Sequence, residues 1–166
     1  MRKVFGFLSV VLVLLTACAA QKRTGTADDL TYVQMWRTSC FGKCPNYKVE
    51  IFNDGLVRYT GYQFTDTGIY EKNIGAVKAK QILNNFSSKK IDTLKQEYPM
   101  KIADLPGINY TFRFGNREQI VRNAEFGPLF LREMANRIDE LVKQEENSVP
   151  KMDGTWKKIS DHPKGD

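Results

Sequence analysis

The chain has little of the chemistry on which enzymes and metal sites depend. Its 166 residues include one histidine, His162, and three cysteines. A single histidine near the C-terminus cannot complete a Ser/His/Asp set in the core, and a closed zinc site needs four nitrogen or sulfur ligands. Glycine-rich phosphate loops are absent, and the one aspartate considered for catalysis, Asp104, lies in turn-forming sequence. The composition therefore predicts no catalytic residue, no metal and no bound cofactor.

Long apolar runs are also lacking. The apolar stretch Val4–Ala17 has about 14 residues, whereas a helix that spans a bilayer needs about 20. It follows the two cations Arg2 and Lys3 and ends in small residues, which is the pattern of a secretory signal peptide. Residues 1–17 are therefore predicted to be removed from the mature protein, and they take no part in the fold.

The end of this stretch indicates how the mature protein is held. Leu15-Thr16-Ala17-Cys18 resembles the lipobox of bacterial lipoproteins, whose cysteine is acylated, palmitate included, and becomes the mature N-terminus. The resemblance implies that Cys18 is lipidated, and two acyl chains are enough for stable anchoring. Residues 18–29 are small and polar, which is typical of a flexible tether. Because no aspartate follows Cys18 directly, we expect a lipid anchor in the outer membrane, facing the periplasm.

The positive charge of the chain does not indicate nucleic-acid binding. The net charge of +6 falls to +4 when Arg2 and Lys3 leave with the signal peptide. A basic chain suggests nucleic acid as a partner, but the lysines are scattered and an envelope protein rarely meets nucleic acid. We therefore expect no nucleic-acid partner and assign Lys22 and Arg23 of the tether to attraction toward anionic lipid.

Apolar residues recur with two different spacings in the rest of the chain, one typical of strands and one typical of helices. Alternation with period two predicts strands at 31–37, 46–52, 56–62, 68–72, 108–114 and 119–121. Spacings of three and four predict helices at 76–86, 91–98 and 128–142, with Ser87-Ser88 capping the second. The order β-β-β-β-α-α-β-β-α is typical of an α+β domain, an antiparallel sheet with helices packed on one face.

The domain boundaries follow from composition. We expect a single α+β domain over residues 30–145, since this length is enough for one core. From residue 146 to residue 166 the chain is polar and carries proline and glycine, which predicts a disordered tail. Trp156 and Ile159 are the tail residues able to dock locally.

The two cysteines left in the mature domain, Cys40 and Cys44, form the one unusual local motif. Disulfides form and persist in an oxidising compartment, and Gly42 is expected to permit the tight turn that joins the two. A loop this small contributes about 2 kcal/mol to stability, so the main interpretation is a local disulfide that fixes the loop before the second strand. Thiol-disulfide exchange and metal handling stay open as alternatives, with Lys43 as weak support for a reactive thiol.

The cysteine motif also belongs to a wider pattern. Cys40-Phe41-Gly42-x-Cys44-Pro45-x-Tyr47, with Asp54-Gly55, Tyr59, Gly61 and Asp104-Leu105-Pro106, resembles an uncharacterised domain-of-unknown-function family that carries a CFGxCPxY motif. The members of that family are short secreted proteins and lipoproteins of Gram-negative bacteria. The resemblance spans residues 30–142 and implies a fold, but no activity and no catalytic residue.

Aromatic residues are numerous in the first strands: Tyr32, Trp36, Tyr47, Tyr59 and Tyr62. Their main interpretation is the core and cross-strand pairs. If several share an exposed face of the sheet, they form a recognition surface for a peptide, a glycan or an envelope protein.

Three functional hypotheses follow from the sequence. The first is a lipid-anchored envelope protein whose domain binds or supports a partner without catalysis. The second is a thiol-disulfide or metal-handling protein that uses Cys40 and Cys44. The third is an enzyme of unrecognised class that acts on cell-wall material.

Overall fold

The computed structural model describes residues 29–102, 104–143 and 149–161. The predicted signal peptide, the lipidated Cys18, all of the tether before Asp29 and the single histidine, His162, lie outside the described residues. Within the described part of the chain, no helix is long and apolar enough to cross a membrane.

Seven antiparallel strands form one sheet, in the order β6-β5-β1-β2-β3-β4-β7. The strands are β1 (Leu30–Arg37), β2 (Asn46–Phe52), β3 (Leu56–Gln63), β4 (Gly68–Asn73), β5 (Ile108–Phe114), β6 (Arg117–Val121) and β7 (Lys157–Ser160). The helices are α1 (Ala76–Ser87) and α2 (Leu129–Asp139), with single 3₁₀ turns at Ile91–Thr93 and Ala124–Phe126. The predicted mixture of an antiparallel sheet and helices is therefore present.

The hairpin of β2 and β3 shows how local sequence sets the register. Gly55 has a φ of 103°, and an added Cβ would lie 2.6 Å from the carbonyl carbon of Gly75. Only glycine tolerates both conditions. The Leu56 N–H donates a hydrogen bond of 3.0 Å to Oδ1 of Asp54, which is the local bond that aspartate makes in turns. The Asn-Asp-Gly turn therefore pairs the two strands as the sequence predicts.

Both helices pack against the same side of the sheet, which we call the helix side. The ring of Phe86 in α1 lies 5.6 Å from that of Tyr110 and 5.4 Å from that of Phe112, both in β5. The Tyr110 hydroxyl donates a hydrogen bond of 2.8 Å to the Leu131 carbonyl of α2. The opposite side of the sheet carries neither α1 nor α2, and we call it the open face.

The predicted second helix over residues 91–98 is wrong. Only Ile91–Thr93 form a 3₁₀ turn, preceded by Lys90 at a left-handed φ of 51° and followed by extended backbone at Leu94. Ser88, expected to cap this helix, closes α1 instead, and its hydroxyl donates to the Asn85 carbonyl at 3.0 Å. The extended backbone at Leu94 ends helical hydrogen bonding after this one turn, so the apolar spacing does not become a helix.

Part of the segment expected to be a disordered tail is ordered. Residues 157–160 form β7, which pairs antiparallel with β4. Trp156 is only 9% exposed, and its ring meets that of Tyr59 at 6.4 Å in an edge-to-face arrangement. Since one large aromatic side chain buries much apolar area, Trp156 holds an otherwise polar segment against the sheet.

Three loops lie side by side at one end of the sheet, which we call the loop end. The Thr38 N–H donates to the Gly107 carbonyl at 3.0 Å, joining the β1–β2 loop to the turn before β5. Asn46 pairs with Gln63, joining the same loop to the β3–β4 loop. The chain enters β1 at Leu30, at the opposite end, about 23 Å away along the strand.

Candidate functional site

The two domain cysteines lie in the loop between β1 and β2. Cys40 and Cys44 are joined by a disulfide, with Cα atoms 5.6 Å apart, so the predicted bridge is present. Both cysteines are partly exposed. Pro45 follows the bridge directly and restricts φ where the chain enters β2. The loop is therefore closed on itself and attached rigidly to the sheet.

The bridged loop carries the most exposed of the large apolar side chains that the structure describes. Phe41 is 97% exposed. Large apolar side chains in a monomer are more often buried or half-buried, and here the ring stands almost free of the fold. A disulfide-closed loop with a phenylalanine presented to solvent is an unusual surface feature.

The structural reason predicted for Gly42 is wrong. Gly42 is not among the residues of positive φ, and an added Cβ would meet only Sγ of Cys40, at an ordinary 3.8 Å. The turn therefore does not require glycine. What Gly42 does is leave the surface beside Phe41 without a side chain, while its N–H donates to Sγ of Cys40 at 3.2 Å.

The neighbouring loops add two more exposed apolar side chains. Phe64 is 42% exposed and Leu105 is 47% exposed. Phe64 also has a φ of 55°, which is uncommon for a bulky residue. The sheet order places the Leu105 turn on one side of the bridged loop and the Phe64 loop on the other. The loop end therefore presents Phe41, Phe64 and Leu105 together.

A buried polar cluster lies beneath this end, between the sheet and α2. The Tyr47 hydroxyl donates to Oδ1 of Asp139 at 2.5 Å, and Nη2 of Arg37 donates to Oδ2 at 2.7 Å. Asp139 is 3% exposed. Lys143 adds a second cation, with Nζ 3.3 Å from Oδ2. Because a buried carboxylate is costly unless it is paired and hydrogen-bonded, these partners hold the end of α2 against β1 and β2.

The environment of this cluster shifts the pKa values of its members. Burial raises the pKa of Tyr47, and the nearby Asp139 carboxylate raises it further. For Arg37, burial acts to lower the pKa, but the charge of Asp139 opposes it and the net pKa is raised. Arg37 therefore stays charged and Tyr47 stays neutral at every physiological pH, which suits a structural cluster rather than a proton-transfer site.

Asp139 is a site residue that the sequence pattern does not indicate. The stripe that predicts α2 runs through Leu131, Met134, Ile138 and Val142 and passes beside it. A signal was available, since Asp139 lies four residues after the small buried Ala135 and therefore on the same face. Its partners, however, lie about 100 positions earlier in the chain, and no local pattern indicates them.

The aromatic residues of the first strands divide between the two sides of the sheet. Tyr32, Trp36 and Tyr62 lie on the open face. Nζ of Lys48 lies 4.9 Å from the ring centre of Trp36 and 5.6 Å from that of Tyr62. The Arg113 guanidinium lies 4.5 Å from the ring centre of Tyr32. Cations stabilise aromatic faces, and their aliphatic stems cover them. These three rings are therefore partly covered by side chains of the protein itself.

The other two aromatic residues belong to the core. Tyr47 and Tyr59 point to the helix side, with ring centres 5.5 Å apart, and are 1% and 0% exposed. The predicted core and cross-strand role therefore applies to these two residues, and Tyr32 also makes a cross-strand pair with Phe52, with ring centres 5.1 Å apart. Because Tyr32, Trp36 and Tyr62 share the open face, a recognition surface there stays a prediction.

The described residues bring together no candidate metal site. No group of three or more histidine, cysteine, aspartate or glutamate side chains is placed to hold a metal across residues 29–102, 104–143 and 149–161. Asp104 lies exposed in the turn before β5. The loop end presents the apolar side chains of Phe41, Phe64 and Leu105 together with the charged side chains of Lys43 and Asp104.

The comparison with known proteins gives the family. Residues 31–142 match the domain of unknown function DUF6438, and the chain belongs to this family. No curated protein matches the chain, and no solved structure matches it. The matched region runs from β1 to just beyond α2, and it contains both the bridged loop and the Asp139 cluster.

The burial of Tyr47 beside the Asp139 carboxylate predicts a specific loss of stability at high pH. A raised pKa in the folded state means that this stability is complete below the unfolded tyrosine pKa near 10 and is lost above it. We expect Tyr47→Phe to lower the free energy of unfolding by about 1–3 kcal/mol at pH 7. We also expect the free energy of unfolding of this variant to fall less steeply above pH 10 than that of the wild type, by about 1.4 kcal/mol per pH unit. Denaturant unfolding at pH 7, 9, 10 and 11 measures both quantities.

The matched control is Ile138→Val, which removes one buried methylene beside Asp139 and leaves every titrating group in place. This control should lower the free energy of unfolding by about 1 kcal/mol. Above pH 10 its free energy of unfolding should fall with the same slope as that of the wild type. Equal alkaline slopes in wild type and Tyr47→Phe would contradict the role given to Tyr47.

Proposed function

We propose that this protein is a lipid-anchored bacterial envelope protein whose domain binds a protein partner through the loop end, without catalysing a reaction. The observation that carries the proposal is Phe41, a side chain 97% exposed on a loop closed by a disulfide. The anchor rests on the sequence up to Cys18, and the periplasmic side of the outer membrane is the proposed location.

The constraint on the loop explains how one exposed ring contributes to binding. Aromatic side chains dominate protein interfaces, and a few residues carry most of the binding free energy. Ordering a flexible loop on binding costs free energy, and a loop that is already ordered avoids this cost. The Cys40–Cys44 bridge orders the loop in advance, so Phe41 enters a partner's apolar pocket with little further loss of entropy.

Gly42 and Lys43 define the surroundings of Phe41. Because Gly42 is not required by the turn, its missing side chain allows close approach of a partner's backbone beside Phe41. Lys43 is exposed next to it. We therefore propose a pocket that is apolar at its centre and acidic at its rim, since charge pairing at a rim steers association.

The geometry favours a protein over the anchoring bilayer or a glycan. The chain enters β1 at Leu30, at the end of the sheet opposite Phe41, so the point from which the proposed tether leaves and the proposed contact lie at opposite ends of the sheet. A glycan would be expected on broad aromatic faces, but Trp36 and Tyr62 are already covered by Lys48. A protruding ring flanked by Phe64 and Leu105 suits a protein pocket.

The contact is tested by placing a photo-crosslinking phenylalanine analogue at position 41 of the full-length chain in the envelope. The matched control is position 77 in α1, where Val77 is also apolar and 75% exposed. We expect one discrete protein adduct at position 41 and none at position 77. Adducts to lipid or glycan at position 41, or the same adducts at both positions, would exclude the proposal.

Once the adduct identifies the partner, the affinity change is measurable. Phe41→Ala should weaken binding by at least about 30-fold, which corresponds to a hot spot of about 2 kcal/mol. Val77→Ala should leave the affinity unchanged, and both variants should melt at the wild-type temperature because neither side chain is buried. Titration calorimetry of the purified proteins measures the difference.

The lipid anchor is tested separately. Cys18→Ser removes the proposed acylation site, so the domain should move from the membrane fraction to the soluble periplasmic fraction. Cys40→Ser is the matched control, since it replaces a cysteine of the domain and should leave the protein in the membrane fraction. Membrane association that survives Cys18→Ser would contradict the anchor.

Thiol-disulfide exchange is the second candidate function, and one contact favours it. The Gly42 N–H donates to Sγ of Cys40 at 3.2 Å, and hydrogen bonding to sulfur stabilises a thiolate. A partner thiolate would attack Sγ of Cys44, the S–S bond would break, and its electron pair would leave with Cys40 as a thiolate. A second partner thiol would then release Cys44, leaving both cysteines reduced and the partner's thiols joined as a disulfide.

The potential of the bridge distinguishes the two functions. Structural disulfides have reduction potentials below about −300 mV, whereas exchanging ones lie between about −270 and −120 mV. We expect the Cys40–Cys44 bridge to stay oxidised in glutathione buffers down to about −300 mV, measured by alkylation and mass spectrometry. Half-reduction at any potential above about −300 mV would favour thiol exchange over binding.

A further inference from the structure

The outer edge of β6 is incompletely paired. β6 is an edge strand, bonded to β5 on one side. On the other side the Arg122 N–H donates to the Gln96 carbonyl at 2.8 Å, and the Tyr98 N–H donates to the Arg122 carbonyl at 3.1 Å. Glu97 and Arg122 thus form a parallel bridge, and residues 96–98 form the beginning of a further strand.

This further strand stops after one bridge. Because backbone groups alternate in direction along a strand, those of Ile120 and Glu118 point outward as those of Arg122 do. The hairpin of β5 and β6 gives the same result. Its two-residue turn makes Phe114 and Arg117 a hydrogen-bonded pair, so the backbone groups of Arg117 face β5 and those of Glu118 point outward. No other backbone bonds to the outward groups of Ile120 and Glu118 among the residues described.

A buried acceptor lies beside this edge. The amide nitrogen of Gln119 donates to the Ile91 carbonyl at 2.9 Å and to the Leu94 carbonyl at 3.3 Å. These two bonds fix the orientation of the amide, so its oxygen cannot exchange places with its nitrogen. Oε1 of Gln119 is buried and has no hydrogen-bond partner in the described part of the chain. A buried acceptor without a donor is costly and indicates a missing donor.

The edge opens into a groove of about 450 Å³. This volume lies within the range of ligand-binding clefts. The groove is lined by Asp92, Leu94, Gln96, Arg117, Glu118, Gln119, Ile120 and Arg122. Two arginines and two carboxylates balance in charge, which does not favour a small anion. The apolar contribution comes from Leu94 and from Ile120, which is 40% exposed.

We propose that this groove binds an extended peptide, which adds to β6 as a strand in line with residues 96–98. The peptide backbone pairs with the outward N–H and C=O groups of Glu118 and Ile120, as in other cases of strand addition. A hydroxyl or amide side chain of the peptide donates to Oε1 of Gln119. The site lies on the outer edge of the sheet, and it does not depend on the function proposed for the loop end.

The test selects a phage-displayed library of random dodecapeptides on the full-length protein in detergent. Ile120→Pro removes the outward N–H and shortens the side chain, and it breaks no bond to β5, because this N–H takes no part in pairing with β5 and proline is tolerated on an edge strand. Ile120→Val is the matched control and keeps the N–H. Selected peptides should bind Ile120→Pro at least about tenfold more weakly than wild type, and Ile120→Val within about twofold.

Hydrogen exchange gives a second measurement that does not require a variant. In the free protein the amides of Glu118 and Ile120 should exchange faster than those of Gln119 and Val121, which face β5. A selected peptide should slow the first pair specifically. The proposal is overturned if no peptide is enriched, if selected peptides bind Ile120→Pro as well as wild type, if the Glu118 and Ile120 amides stay unprotected, or if inorganic phosphate displaces the peptides.

Discussion

The carboxylate of Asp139 is the group on which the arrangement of the domain depends. It is the charged residue at the end of α2 that the fold buries almost completely. Arg37 of β1 and Lys143 balance its charge, and Tyr47 of β2 donates a hydrogen bond to it. Removing one partner of a buried pair costs about 3–5 kcal/mol, because the other charge is left uncompensated. That is a large part of the stability of a small domain. A shift of α2 that separated Asp139 from its partners would carry this cost, so the cluster fixes the position of α2 on the sheet.

The same contacts determine where the bridged loop stands. Arg37 is the last residue of β1, and Tyr47 lies near the start of β2, so the polar cluster fixes both strands where the loop leaves and returns. The Cys40–Cys44 bridge closes the loop above this base. A contribution of about 2 kcal/mol from the bridge is smaller than that of the cluster. The bridge is therefore better explained by the order it gives to Phe41 than by global stability.

The sequence predicted those features that local spacing determines. Residues 46–52 and 56–62 were predicted as strands, and the structure has β2 (Asn46–Phe52) and β3 (Leu56–Gln63), because period-two alternation and the Asn-Asp-Gly turn act over a few residues. The cysteine pair was recognised for the same reason. Asp139 was missed because its partners are distant in sequence, and β7 was missed because Trp156 orders a polar segment through a ring contact with Tyr59.

The two edges of the sheet show why β6 is the open one. β7 has four residues, and its exposed Lys157 and Lys158 discourage further pairing, as charged residues do on natural edge strands. At β6 the chain protects its edge with its own residues 96–98, but only at Arg122. Before residue 96 the chain does not follow this edge, since Leu94 is extended and Ile91–Thr93 form a 3₁₀ turn. The groove therefore lies where residues 96–98 stop covering the edge of β6.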